Sequence, residues 1–234
     1  EPLHIQYSYK SKEVIINNSL LQPFSNLSAK ADLYDASGKL KYTYSIKTSV
    51  QKDSIRKCFV IPDMDGLGDI YFLRLQLKDQ QAKTVSLNWY WLSNKKDSLD
   101  WNKSKWFYTP QSVYADFSAL QKLPRTKLKV DYITVKGKMN TTHKITLTNT
   151  GKSVAFFVHI RALKGKGADD ILPLIFEDNY ILLAPGERRN INCSYLNKDA
   201  GGGVPYITTS AWNLDIEQSK AGKNAGFTQE TLSP

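Results

Sequence analysis

The sequence predicts an all-β chain built as two immunoglobulin-like β-sandwiches in tandem, and three observations lead there. Apolar and polar residues alternate in run after run, the pattern of strands that bury one face. No long segment spaces its apolar residues three and four apart, as an amphipathic helix requires. Turn-forming residues recur at intervals of about eight to twelve positions, the rhythm of a β-sandwich. Composition agrees: 41% of residues are hydrophobic, with thirteen Tyr and five Trp. That is too apolar for a disordered chain, and the aromatics suit a pleated, half-buried surface. A length of 234 residues allows one large domain or two of ordinary size.

The first block covers residues 1–93. Residues 3–9 place Leu3, Ile5, Tyr7 and Tyr9 on one face. Residues 13–17 form a second run, and Pro23 breaks the chain after it. Residues 27–35 alternate and end at Asp35-Ala36-Ser37-Gly38, a hairpin signal. Residues 40–50 pair back, with Tyr42, Tyr44 and Ile46 together. Residues 55–61 make a short strand stopped by Pro62, and residues 63–69 a turn-rich loop. Residues 70–77 set Tyr71, Leu73, Leu75 and Leu77 against Arg74 and Gln76. Residues 83–92 close the block with Leu87, Trp89 and Trp91 on one face.

Residues 94–124 lack strict alternation but hold Trp101, Trp106, Phe107, Tyr108, Tyr114 and Phe117. This richness predicts an ordered connector with its aromatics packed on one or both domains. Short helical turns are expected at residues 98–101 and 116–120. Trp101, Trp106 and Tyr108 are also candidate sugar-contacting residues, because exposed aromatic faces stack on pyranose rings.

The second block covers residues 125–215. Leu128, Val130, Tyr132 and Thr134 alternate; residues 144–150 end at Thr150-Gly151; residues 154–163 set Ala155, Phe157, His159 and Arg161 opposite Val154, Phe156, Val158 and Ile160. Residues 171–176, 180–183, 190–196 and 206–214 complete a second set of seven. Gly201-Gly202-Gly203 reads as a hairpin loop between the last two strands. Residues 216–234 are polar and are expected to be a disordered tail.

The net charge is +10, but the lysines are scattered, with no basic stripe interleaved with aromatics. Solvated strand faces account for them, and no nucleic-acid partner is expected. Cys58 and Cys193 fall in different domains and are expected to be free thiols. No apolar run reaches the roughly 20 residues of a membrane helix. The start at Glu1-Pro2-Leu3, with no Met and no signal peptide, suggests a mature or excised fragment. Asn102-Lys103-Ser104 and Asn140-Thr141-Thr142 are chance-level glycosylation sequons.

Catalytic and metal chemistry finds no support. His4, His143 and His159 stand alone, away from ligand spacing. There is no nucleophile elbow, and Gly165-Lys166-Gly167 is too short for a phosphate cradle. The Asp63, Asp65, Gly66, Asp69 loop lacks the spacing and closing Glu of a calcium loop. No catalytic residue, metal or cofactor is assigned.

The most informative segment is FEDNYILLAPGE, residues 176–187. It reads as two short strands followed by a Pro-Gly turn. Together with EPLHIQYSY at the start, YFLRL at 71–75, WYWLS at 89–93, LDW at 99–101 and WFYTP at 106–110, it resembles the C-terminal β-sandwich domains of glycoside hydrolase family 2, in the exo-β-glucosaminidase and β-mannosidase branch. The resemblance reaches to about residue 215.

It implies a retaining exo-β-glycosidase as parent, in which both carboxylates come from a (β/α)₈ barrel. A barrel needs about 250 residues, so no catalytic residue is carried over. The expected role is to brace the absent barrel of the same parent chain, itself secreted or periplasmic by resemblance. The alternative is a carbohydrate-binding or adhesive module.

Overall fold

The computed structural model describes residues 1–214 and the backbone of one further strand, Lys223–Gln229. It is all-β apart from short 3₁₀ turns at Trp101–Lys103, Ser118–Lys122 and Asn197–Ala200. Two compact units divide the chain, Glu1–Lys122 and Leu123–Pro234.

The first unit contains β1 (Leu3–Tyr7), β2 (Glu13–Asn18), β3 (Phe24–Asp35), β4 (Leu40–Val50), β5 (Ser54–Val60), β6 (Ile70–Lys78) and β7 (Thr84–Ser93). They form a three-stranded sheet, β1-β2-β5, and a four-stranded sheet, β4-β3-β6-β7. The core lies between them, where Ile5, Ile16, Leu33, Leu73, Leu75 and Leu77 are buried. The hairpin between β3 and β4 forms at the expected turn. Gly38 takes φ +88°, and the Asp35 carboxylate accepts the backbone N–H groups of Ser37 and Lys39. A hairpin of β8 (Ser98–Leu99) and β9 (Gln111–Val113) follows.

Alternation in β7 is read correctly, but the sheet turns Leu87, Trp89 and Trp91 away from the core. Ser86 and Leu92 are buried instead, and Tyr90 packs inward with them. The Ser86 hydroxyl accepts the Ile5 N–H at 3.1 Å, and the Tyr90 hydroxyl accepts the Tyr7 N–H at 3.0 Å. Inward polar atoms on β7 thus serve the backbone of β1. The outward face holds a buried charge, Asp32, ringed by Lys30 at 2.8 Å, the Thr43 hydroxyl at 2.7 Å and Arg74 at 3.6 Å. Arg74 also lies over the Trp89 ring. Such a charge is tolerable only when paired on several sides.

The second unit contains β10 (Leu128–Lys136), β11 (Asn140–Asn149), β12 (Ala155–Leu163), β13 (Ile175–Phe176), β14 (Ile181–Leu183), β15 (Arg188–Leu196), β16 (Tyr206–Ser210) and β17 (Lys223–Gln229). A five-stranded sheet, β13-β15-β11-β10-β17, faces a three-stranded sheet, β14-β12-β16. Three expectations change here. Ala155 joins Val158, Ile160 and Ala162 in the core, because a bulge between Ala155 and Val158, with Phe157 at φ +54°, resets the parity of β12. The triple glycine is not a hairpin loop: β15 pairs with β11 and β13, while β16 pairs with β12, so residues 197–205 cross between sheets. Within the tail expected to be disordered, Lys223–Gln229 pair in parallel with β10. Backbone bonding to a free strand edge needs no apolar side chains. The rest of that tail lies outside the described residues.

The segment 176–187 is a strap between the two sheets. Its two strands and final turn form as expected. The Glu177 carboxylate accepts the backbone N–H and side-chain amide of Asn192 on β15, and Asp178 pairs with Arg189 at 2.9 Å. Asn179 then bonds the other sheet: its oxygen accepts the Ile160 N–H at 2.8 Å and its amide donates to the Ile160 carbonyl at 3.0 Å. Val158 faces Ile181 across the β12–β14 ladder. Continuing that register would put residue 179 opposite Ile160. There Tyr180 takes φ +54°, so the Asn179 side chain supplies the bonds a strand backbone would make. Pro185 followed by Gly186 at φ +76° closes a turn with the Glu187 N–H on the Ala184 carbonyl. Asn179→Ala is expected to destabilise this unit by about 2 kcal/mol, since it leaves both Ile160 groups unpaired. Tyr180→Ala, which removes only a half-exposed ring stacked on His159, should cost much less. Urea denaturation of the two variants checks the order.

Both thiols are free. Burial pushes Cys58 up to about 11 and Cys193 up to about 12.

Candidate functional site

Two features of the first unit present chemistry to solvent. The first is the β8–β9 hairpin. Asp100 N–H donates to the Pro110 carbonyl at 2.8 Å and Lys105 N–H to the Tyr108 carbonyl at 2.8 Å. The Ser104 and Thr109 hydroxyls, 2.7 Å apart, cross-link the two arms. These bonds fix the tip, and its aromatics stand outward. Trp106 is 95% exposed, Trp101 71% and Phe107 65%, with Tyr108 and Tyr114 exposed as well. The expectation that these aromatics pack inward is therefore corrected. The loop is held by its own polar cross-links rather than by apolar burial, which leaves the rings free. Of the candidate sugar-contacting residues, Trp106 and Tyr108 are brought together through Phe107, with ring centres 5.4 Å and 5.2 Å apart in sequence. Lys105 lies over the Tyr108 ring. Trp101 sits on the other arm, in the 3₁₀ turn.

The second feature is a cleft of about 630 Å³ lined by β1, the β6–β7 ladder and the chain after it. Tyr7, Tyr9 and Tyr90 meet edge to face, with centroids 5.5 to 5.8 Å apart. Tyr71, Trp89 and Phe117 extend the aromatic wall, and Lys95 and Lys96 stand at its rim. Burial, the largest influence, holds the Tyr7 hydroxyl up at about 12, so it is a protonated donor at any ordinary pH. This cleft was not visible in the sequence, although one signal pointed to it. The face of Leu3, Ile5, Tyr7 and Tyr9 runs from fully buried at Ile5, through Tyr7 half-buried against the core, to 67% exposed at Tyr9, so it leaves the core at its tyrosine end.

The remaining candidates are structural. His4 pairs with Glu1 at 2.9 Å. His143 is buried between the Thr134 hydroxyl at 3.0 Å and the Tyr195 hydroxyl at 3.1 Å. His159 stacks on Tyr180 at 4.4 Å. Asp63 forms an ion pair with Lys12. Among the described residues no group of three His, Cys, Asp or Glu could hold a metal ion, and no helix is long and apolar enough to cross a membrane.

Comparison with known proteins interprets this arrangement. A family model described as "Exo-beta-D-glucosaminidase Ig-fold domain" matches residues 106–214. The exo-β-D-glucosaminidase of Amycolatopsis orientalis is 36% identical over 223 residues, which is 93% of this chain and 21% of that enzyme. Residues 106–214 belong to the exo-β-D-glucosaminidase Ig-fold family, and the chain as a whole is similar to the C-terminal β-sandwich part of these glycoside hydrolase family 2 enzymes. A second exo-β-D-glucosaminidase, from Streptomyces avermitilis, is 34% identical over 91% of this chain and 24% of its own length. The solved exo-chitosanase of A. orientalis superposes with a TM-score of 0.88 at 34% identity, over 94% of this chain and 26% of that one. The chain thus spans about a fifth to a quarter of these relatives. It corresponds to their immunoglobulin-like part, and residues 106–214 carry the Ig fold that the family description names. The family match begins at Trp106, inside the aromatic hairpin.

Proposed function

We propose that this chain is the non-catalytic sandwich region of a family 2 retaining exo-β-glycosidase, of exo-β-glucosaminidase or β-mannosidase type, and that it braces the catalytic barrel of its secreted or periplasmic parent. The observation that carries this reading is the hairpin tip. A contiguous set of Trp, Phe and Tyr standing in water is costly for a free surface and marks an interface. Burying the exposed part of such rings against a neighbour supplies a few kcal/mol.

Chemistry points the same way. Retaining hydrolysis needs two carboxylates about 5 Å apart, and the acids at the described sites are engaged in turns, clamps and ion pairs. Glucosamine polymers are cationic, and a chain of net charge +10 repels them at long range. Capture of the polymer is therefore not its task; the hairpin borders the sugar cleft of the barrel through Trp101, Trp106 or Tyr108.

The double variant Trp106→Ala, Phe107→Ala tests this in two settings. In the isolated chain it should change stability by less than about 0.5 kcal/mol, as exposed sites do. In the full-length parent it should lower the melting temperature and kcat. A raised KM for an aryl β-glucosaminide would add direct sugar contact. An unaltered parent would overturn the bracing role, as would hydrolysis of aryl β-glycosides by the isolated chain at an enzyme-like rate.

A further inference from the structure

The tyrosine-lined cleft lies apart from the hairpin tip and is not needed for the bracing role. It continues into a second cleft of about 210 Å³ that shares Tyr7, Tyr71, Ser93 and Lys96 with the first. The groove therefore has an aromatic end and a polar end, the latter holding the Lys12–Asp63 ion pair. The larger part falls within the range that encloses small ligands, roughly 300–1,000 Å³.

Its aromatic end is rigid. Tyr90 is fixed by the Tyr7 N–H at 3.0 Å and the Asn88 amide at 2.9 Å on its hydroxyl, and it in turn holds Tyr7 and Tyr9 edge to face. The Tyr7 and Tyr71 hydroxyls have no hydrogen-bond partner among the described residues and are free to bond a ligand. Rigid rings with hydroxyl handles suit a polyhydroxylated ring with one apolar face.

The rim selects by charge. Asp97 is occupied, since one carboxylate oxygen accepts the Gln111 amide at 2.9 Å and the Ala115 N–H at 2.7 Å. Asp63 is taken by Lys12. Lys95 and Lys96 are exposed and, among the described residues, have no carboxylate within ion-pair distance. Asp116 acts on Lys95 and Asp63 on Lys96 only from a distance, so both ammonium groups can contact an anion directly, on a chain whose net charge of +10 disfavours an amino sugar.

We propose that this groove binds an acidic saccharide, a pyranose chain bearing a carboxylate, with a ring seated against Tyr9 and its tyrosine neighbours and the carboxylate held by Lys95 and Lys96. The site differs in charge preference from the amino-sugar chemistry named for the relatives.

Three β-1,4-linked trisaccharides, of glucuronate, glucose and glucosamine, test it by calorimetric titration of the whole chain at low and moderate salt. The glucuronate trimer should bind saturably and at least ten-fold tighter than the glucose trimer, and the glucosamine trimer should not saturate. Lys95→Ala with Lys96→Ala should reduce the glucuronate trimer to the level of the glucose trimer. Tyr9→Ala, at an exposed position that leaves the fold intact, should weaken both by about five-fold or more. Trp106→Ala should change neither, which separates this site from the hairpin. No saturable binding would overturn the assignment. So would equal affinity for neutral and acidic trimers, or binding that salt abolishes and Tyr9→Ala leaves alone, the mark of lysines acting without a site.

Discussion

Asn149→Ala is expected to remove about 3–5 kcal/mol from the second unit, enough to unfold much of it at room temperature. The side chain is completely buried and uses its full bonding capacity. Its amide donates to the Ser153 carbonyl at 2.8 Å and the Leu183 carbonyl at 3.0 Å. Its oxygen accepts the Thr126 hydroxyl at 2.8 Å and the Gly151 N–H at 3.0 Å. It therefore ties the entry to β10, the turn after β11 and the strand β14 at one point. No other group there can replace it. A Cβ on Gly151 would meet the Thr126 hydroxyl at 2.2 Å and the Lys127 nitrogen at 2.8 Å, so the chain is already at closest approach. Asn149→Asp should be at least as damaging at neutral pH, because it sets a carboxylate against two carbonyl oxygens. Urea denaturation followed by circular dichroism measures both; a loss below about 1 kcal/mol for Asn149→Ala would mean that water replaces the amide without penalty.

The second large effect is acid destabilisation through His143. Burial holds its imidazole down at about 4, against an ordinary 6.5. It faces the Thr134 and Tyr195 hydroxyls, the edge of the Tyr132 ring and its cross-strand neighbour Cys193. None of these compensates a positive charge. Between about pH 6.5 and 4 the unfolded chain binds a proton that the folded chain refuses. Stability is thus present above 6.5 and is lost as the pH falls through this window. Its full extent is on the order of 3 kcal/mol. His143→Gln keeps an amide between the two hydroxyls and removes the titration. The wild-type chain should lose stability between pH 7 and 4.5 while the variant changes far less. Parallel slopes for the two proteins would sink the assignment to His143. Carboxylates contribute to both proteins alike, so the difference isolates the imidazole.

Strand identity was legible wherever one face of a strand meets one core. β6 is the clear case: Leu73, Leu75 and Leu77 are buried and Arg74 and Gln76 are not. The Pro185-Gly186 turn was legible because its residues set their own backbone angles. What stayed hidden has three physical sources. A single bulge at Phe157 moves Ala155 to the other side of β12, and no residue type there announces it. In β7 the aromatics Trp89 and Trp91 alternate faithfully, yet periodicity cannot say which of two faces meets the other sheet. The asparagine clamps and the tyrosine cleft join residues far apart in the chain. Asn179 reaches back to Ile160, and the cleft draws on β1, the β6–β7 ladder and Phe117. The hairpin aromatics were seen, but the choice between packed and exposed rings stayed open, because composition does not distinguish a packed ring from a presented one.

The two cysteines carry a consequence for where such a chain can work. They lie in different units, Cys58 half-buried on β5 and Cys193 buried on β15, and each thiol is held far above neutrality. Neither is poised as a thiolate, and so neither invites oxidation, alkylation or exchange with glutathione. Folding of the described units needs no oxidant, and a reductant has no bond in them to break. These units should therefore reach the same native state in a reducing solution as in an oxidising one.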